Sequence, residues 1–353
     1  MSAPLISVLI DTYNHERFIE EAVQSVLAQD FPASDREVLV VDDGSTDRTP
    51  EILRKFEPQV RILRKSNGGQ ASAFNHGIPE CRGEIVAFLD GDDWWAPNKL
   101  KRVTETMLAE PETGIVGHGI TNVYQNASNM VETLREGFHF RANTMPGALL
   151  LRTRGAFLGT SRMTIRKALL KSIGPVPDSI RIEADEYLFT LAAVLAGVHI
   201  LPEALTFYRL HGANLFQVSD SDPAKLLGKQ KSLAALAGAL TQKLEGYGIP
   251  KDVRRALVAF SQASADQLRL ELQGGWPWET LRTEWTLYRV THPDASTAHR
   301  TFRAASLAGT LVLPPRSYYS ARRSVTGSGF FRRIRRRFLP APEMNHIQKD
   351  ASH

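Results

Sequence analysis

Three carboxylates within four residues, Asp90-Gly91-Asp92-Asp93, end the apolar run Ile85 to Leu89. Such a run reads as a parallel strand buried on both faces. Acids at its carboxyl end face the crevice in which open α/β sheets hold their ligands. Packed this closely they repel one another unless a cation sits among them, and their hard oxygens suit Mn2+ or Mg2+. Taken alone, the stretch also reads as a solvated acidic turn. Trp94 and Trp95, next in the chain, can stack on a ligand or anchor the turn in the core. Polar clusters end three other short apolar runs. They are Asp11-Thr12-Tyr13-Asn14 after Leu5 to Ile10, Asp42-Asp43-Gly44-Ser45 after Glu37 to Val41, and Arg64 to Gly69 after Val60 to Leu63.

Helices separate these runs. Ile19, Ala22, Val23, Val26 and Leu27 form one stripe of a helix over 18–29. Thr46 is placed to cap a helix reaching Phe56, Ala71 to Cys81 reads as a third, and Pro97 opens a fourth. Strand–helix alternation repeated four times predicts an α/β fold with a doubly wound, mostly parallel sheet and right-handed crossovers. All four polar clusters then share one edge of that sheet. A further strand is expected over 114–123, and loops with short strands lining a pocket over 125–159. A strand then a helix follow over 161–173, a helix over 183–196, and extended segments over 199–201 and 205–210. Three helices, 223–247, 253–272 and 278–291, form an α-helical extension. The expected division is 1–215 for the sheet domain, 216–303 for the extension and 304–353 for a basic amphipathic tail.

The chain has 353 residues, 42% hydrophobic and 23% charged, ordinary values for a globular protein with a sizeable core. Cys81 is the single cysteine, so an internal disulfide is excluded. The run Leu5 to Ile10 is too short for a signal h-region or a membrane span, which points to a cytoplasmic protein. Eight arginines and no acid lie between Arg316 and Arg337, so the net charge of +5 reports the tail, and the remainder stands at −3.

The order and spacing of several motifs resemble the family 2 glycosyltransferases of the GT-A fold. They are Thr12-Tyr13-Asn14, Val41-Asp42-Asp43-Gly44-Ser45-Thr46-Asp47, Asn67-Gly68-Gly69 with Asn75, Gly77 and Gly83-Glu84, Phe88-Leu89-Asp90-Gly91-Asp92-Asp93, and Tyr208-Arg209-Leu210-His211-Gly212-Ala213-Asn214. The resemblance covers roughly residues 5 to 215 and implies inverting transfer of a sugar from a nucleoside diphosphate, with a UDP-sugar favoured as donor. A cation at Asp92, helped by Asp90 or Asp93, would neutralise charge developing on the departing diphosphate. Tyr13 can stack on a pyrimidine, Thr12 can bond it, and Asp42 or Asp43 can accept its imide hydrogen. Asn14 and Asp90 belong to the same nucleotide set. Asp43 equally suits a tight turn with Gly44 and Ser45. Arg64, Lys65, Asn67 and Gly68 can approach the phosphates.

Inverting transfer also needs a general base. The family's carboxylate lies at a helix start upstream of the closing motif, which places Asp185 there. Alanine replaces the usual preceding Glu in Glu183-Ala184-Asp185-Glu186, so Glu183 or Glu186 can serve instead. Arg209 and His211 can hold the diphosphate or reach the metal. His15, His76 and His118 match no ligand spacing and read as structural or surface residues.

The acceptor is expected to be a glycan or lipid-linked hydroxyl in polysaccharide or glycolipid assembly. A helix through 330–338 would set Phe330, Phe331, Ile334 and Phe338 beside five arginines, the design of an interfacial helix on an anionic membrane surface. Nucleic-acid contact is a weaker reading and is not expected. A sugar-nucleotide pyrophosphorylase would need a glycine-rich, arginine-containing loop where Asp11 to Asn14 stand. A catalytically silent scaffold relative is the remaining alternative.

Overall fold

Ile6 to Thr12 form β1, an interior strand of the sheet, in a computed structural model that describes residues 4–124, 128–211, 222–292 and 295–327. The chain continues through α1 (Ile19–Leu27), β2 (Arg36–Asp42), α2 (Thr49–Arg54), β3 (Arg61–Arg64), α3 (Gln70–Gly77) and β4 (Ile85–Asp90). Then come β5 (Trp94–Trp95), α4 (Lys99–Ala109), β6 (Thr113–Tyr124), β7 (Met130–Glu132), β8 (Phe138–Phe140) and α5 (Met145–Arg154). The unit closes with β9 (Thr164–Arg166), α6 (Lys167–Ile173), α7 (Ala184–Leu195) and β10 (Gly197–Leu210).

The sheet order is β3-β2-β1-β4-β9-β6-β10-β5, with β7 on β6 and β8 on β10. The first four strands are parallel, as the alternating pattern predicts. β9 departs from it, running antiparallel to both β4 and β6, so β6 and β10 keep the direction of β4. Alternation explains the layers: Ile6, Val8 and Ile10 join Ile19, Val23, Val26, Leu53, Val103 and Met107 in one buried cluster. The opposite face packs on α3, where Phe74 meets Phe88 edge-on at 5.1 Å.

Local expectations differ at three places. α2 begins at Thr49, because the Asp47 carboxylate, and not Thr46, accepts the Thr49 N–H at 3.0 Å. α4 begins two residues after Pro97, at Lys99. Residues 145–154, expected as loop, are α5; a Pro and a Gly in the first turn and no apolar stripe leave it without a periodic signal.

The chain divides after Asn214. In the second unit, α8 (Pro223–Gly246), α9 (Lys251–Gln273), α10 (Trp278–Thr291), α11 (Thr297–Val312) and α12 (Pro315–Gly327) follow one another. Leu226, Leu233, Leu236, Leu240 and Leu244 bury one side of α8. Glu284 is buried and accepts from Arg303 (3.0 Å), Arg322 (2.7 Å) and the Tyr319 hydroxyl (3.1 Å). Residues 304–312 and 315–327, expected as the start of a tail, are helical, and α12 is tied to α10 through Glu284. The aromatic and arginine run 330–338 lies outside the described residues.

Candidate active site

Strand register assembles the site. Thr12 pairs with Asp42, Asp42 with Arg64 and Asp11 with Asp90, so four chain segments deliver polar groups at one level of the rim. Gly91 permits this closeness: a Cβ there would meet the Thr12 hydroxyl at 2.7 Å and His15 Nδ1 at 2.8 Å.

On the β1–β2 side, Tyr13 is 43% exposed, leaving its ring accessible. Asp42 is buried; one oxygen accepts the Ser45 N–H at 2.8 Å, and Oδ2 has no hydrogen-bond partner among the described residues, with Arg64 Nε 3.4 Å away. A buried carboxylate oxygen that accepts no hydrogen bond among the described residues, beside an exposed aromatic ring, suits a base bearing an N–H. Asn14 instead ties the two loops together, accepting the Thr46 N–H at 2.8 Å and donating its own N–H to the Ser45 hydroxyl.

The loop after β3 is held from within. Asp43 accepts the Gly68 and Gly69 N–H groups at 3.0 and 2.7 Å and takes the Lys65 ammonium at 2.6 Å. Asp43 thus serves loop formation, and Lys65, expected near the phosphates, is engaged by it. Asn67 accepts from Arg181 at 3.3 Å. Gly69, at φ +84°, adopts a left-handed conformation, and a side chain there would strike the Arg181 carbonyl.

At the acidic centre, β5 pairs with β10, Trp94 against Phe207 and Trp95 against Thr206, which brings the residues after Phe207 beside Asp92. The Asp92 carboxylate lies 3.0 Å from His211 Nε2. Arg209 donates from Nε to the Asp92 carbonyl at 3.0 Å, pairs with Glu21 and lies 4.4 Å over Trp94. Trp94 also stacks on Phe207, so it positions Arg209. Trp95 is in the core and not in the cleft: its indole N–H donates to the Ser161 carbonyl at 3.0 Å, and the Lys99 ammonium sits 3.7 Å above it. Asp93 is a buried brace, accepting the Ser161 hydroxyl at 2.6 Å and the Arg209 N–H at 3.0 Å.

Burial raises the pKa values of Asp90 and Asp11 well above the ordinary carboxylate value, reinforced by Asp11 and Asp92 for the former and Asp92 for the latter. Asp11 Oδ1 has no hydrogen-bond partner among the described residues. Burial opposes ionisation of Asp92 too, but the His211 hydrogen bond and the charges of His15 and His211 hold its pKa below the ordinary value. One ionised acid beside an imidazole and two strained carboxyl groups is a donor set that a divalent cation would relieve.

Asp185 opens α7. Its Oδ2 accepts the Thr160 N–H and hydroxyl at 3.0 and 3.2 Å, and Oδ1 the Glu186 N–H at 2.8 Å. Burial raises its pKa even so. Glu186 is turned away into a buried ion pair with Arg152 at 3.0 Å. Glu183 precedes the helix in a left-handed conformation.

Sequence reasoning missed the residues that connect these groups. Gln70 donates to Asp90 Oδ1 at 3.3 Å and to the Thr160 hydroxyl at 3.0 Å, and accepts the Ala184 N–H at 3.1 Å. Ser161 receives the Asp90 N–H at 3.1 Å. His15, read as structural or surface, faces the cleft 3.1 Å from the Thr12 hydroxyl. His118 is buried, and burial lowers its pKa. Gly212 to Asn214 of the closing motif lie outside the described residues.

A mostly parallel sheet with this order and an acidic rim defines a GT-A-like glycosyltransferase fold. The profile of "Glycosyl transferase family 2" matches residues 7–173. An uncharacterized glycosyltransferase of Nostoc sp. is 30% identical over 298 residues, covering 80% of this chain and 89% of its own. The chain belongs to glycosyl transferase family 2 and is a glycosyltransferase. The poly(ribitol-phosphate) beta-N-acetylglucosaminyltransferase TarS of Staphylococcus aureus is 29% identical over 57% of this chain and 35% of its own. Residues 1–349 of TarS in complex with UDP-GlcNAc superpose with TM-score 0.56 at 17% identity, over 87% of this chain and 91% of that one. The mannosyltransferase PcManGT of Pyrobaculum calidifontis, in complex with GDP-Man and Mn2+, gives 0.53 at 18% identity, over 96% and 88%.

Proposed function

We propose that this glycosyltransferase is inverting and divalent-metal-dependent, moving a sugar from a nucleoside diphosphate, UDP favoured, to a hydroxyl of a glycan or lipid-linked acceptor. The observation that supports it most is the Asp92–His211 pair at 3.0 Å beside two carboxyl groups whose ionisation burial opposes. Carboxylate oxygens and one imidazole nitrogen fit Mn2+ or Mg2+, and such an ion, when bound, supplies positive charge opposite the departing diphosphate. The UDP-GlcNAc and GDP-Man complexes of the structural neighbours favour the same donor class.

The chain's own residues divide the remaining work. Tyr13 stacks on the base and Asp42 Oδ2 accepts its N–H. Arg209, held on the Asp92 carbonyl, offers a cation to the diphosphate, and Arg64, beside Asp42, offers a second on the β3 side of the rim. Asp185 accepts the acceptor hydroxyl proton, and its raised pKa brings it nearer the range at which a base works at neutral pH. Thr160 fixes its orientation, and Gln70 keeps it in register with Asp90.

No helix among the described residues is long and apolar enough to cross a membrane. The arginine-rich run 332–337 would hold the enzyme at the cytoplasmic face of an anionic membrane, where lipid-linked acceptors in polysaccharide or glycolipid assembly reside. A thermal-shift panel of UDP, GDP and their sugar conjugates, with and without Mn2+, tests the donor reading. Stabilisation by UDP conjugates only with metal supports it; indifference to every nucleotide opposes it.

A further inference from the structure

We propose that Glu110, His139 and His199 form a second metal site, selective for Zn2+, at the opposite end of β10 from His211. The three residues come from the turn after α4, from β8 and from β10. Register sets His199 directly across from His139. Glu110 Oε2 lies 3.0 Å from His199 Nδ1 and 3.2 Å from His139 Nδ1, and the three ligand atoms fall within 4.8 Å of one another. Bonds of about 2.0–2.2 Å in tetrahedral geometry separate ligands by roughly 3.3–3.5 Å, close to the two distances from the Glu110 oxygen.

The rings are arranged for this. Their centroids are 3.8 Å apart, and both present Nδ1 to the same carboxylate oxygen, which also accepts the Thr113 hydroxyl at 2.9 Å. His199 is the more buried of the two, with Nε2 turned toward the space beside Gly137. His139 is 52% exposed, so a fourth position opens to solvent, which gives the ion an entry path and a water ligand. Two imidazoles and one carboxylate suit Zn2+ over Mg2+ or Mn2+, which favour sets in which oxygen predominates. This separates the site chemically from the acidic cleft. Occupation would clamp the three-residue edge strand β8, which leads into α5 and its Arg152, the partner of Glu186 beside Asp185.

The test titrates Zn2+ by calorimetry into the full chain carrying Asp92→Ala and His211→Ala, which removes two of the cleft donors, the His211 imidazole among them, and into the same protein with His139→Ala added. The first is expected to bind one Zn2+ and not Mg2+. Adding His139→Ala should weaken binding by at least the roughly 10- to 100-fold that losing even an outer partner of a metal ligand costs. His139 is exposed, so its loss spares the core; Glu110→Gln is the second variant and should weaken Zn2+ alike. Equal Zn2+ affinity with and without His139, or no Zn2+ bound by the Asp92→Ala, His211→Ala protein, overturns the proposal. Neither outcome bears on the donor reading, which rests on the cleft.

Discussion

The Asp92 carboxylate and the His211 imidazole are 3.0 Å apart although 119 residues separate them in the chain. The contact joins the end of β4 to the end of β10, so it exists only when the sheet is closed by the β5–β10 pairing. Losing either donor leaves a buried acidic cluster that holds a cation poorly. Asp92→Ala and His211→Ala are each expected to abolish metal-dependent stabilisation by UDP. Each should lower kcat by about 10²- to 10³-fold, the scale of removing one group that stabilises developing charge. Assays across a Mn2+ titration check this; wild-type rates in either variant would remove the pair from the mechanism.

Asp185→Asn keeps the shape of the site and removes the carboxylate proposed as the base. Transfer should fall by about 10²- to 10⁴-fold while UDP affinity stays near wild type. The pH dependence has a definite sign. Burial raises the pKa of Asp185 in the folded protein, so the wild-type rate should drop as pH falls through a value above the ordinary carboxylate range. The same shift means the fold favours the protonated acid. Its stability contribution is lost as pH rises from the ordinary carboxylate value through the raised one. Denaturation of Asp185→Asn relative to wild type should therefore move toward stabilisation as pH rises to neutrality.

Gln70 links Asp90 to Thr160 and the start of α7, between the positions proposed for the cation and the base. Gln70→Ala strands the Ala184 N–H, removes a donor from Asp90 and from the Thr160 hydroxyl, and is expected to cost about 1–3 kcal/mol of stability. The kcat should fall with little change in donor KM, because the nucleotide's contacts lie elsewhere. A rise in donor KM with unchanged kcat would contradict a positioning role.

Tyr13 tests the base pocket. Tyr13→Ala should weaken UDP binding by about tenfold, the equivalent of about 1–1.5 kcal/mol of aromatic contact, and Tyr13→Phe should preserve it. Equal loss in both variants would assign the role to the hydroxyl.

Because α12 is tied to Glu284 through Tyr319 and Arg322, the membrane test must cut beyond it. A chain ending at Gly327 is expected to lose sedimentation with anionic liposomes while keeping its melting temperature. Undiminished binding would rule out docking by the arginine run.

The rim was legible in sequence because each strand is a short apolar run that stops at acids or amides. Thr12, Tyr13, Asp42, Asp90 and Asp92 stand together for that reason. What escaped has a common cause in partners distant along the chain. Nothing local marks Gln70, Thr160 or Ser161, single polar residues in helix starts and turns, as the links between Asp90 and Asp185. Lys65 read as a free cation because its partner Asp43, 22 residues earlier, also read as a nucleotide ligand. The antiparallel β9 is three residues long, too short to announce its direction. His139 and His199 share no motif with Glu110; only the β8–β10 register unites them.

Nucleotide and cation are proposed to share one cleft through Asp92 and His211. Calorimetric titration of UDP into wild-type protein and Asp92→Ala, each with and without Mn2+, tests it most directly. The account predicts tight UDP binding in wild type only with Mn2+, and weak, metal-indifferent binding in Asp92→Ala. Equal UDP affinity in all four titrations would contradict it.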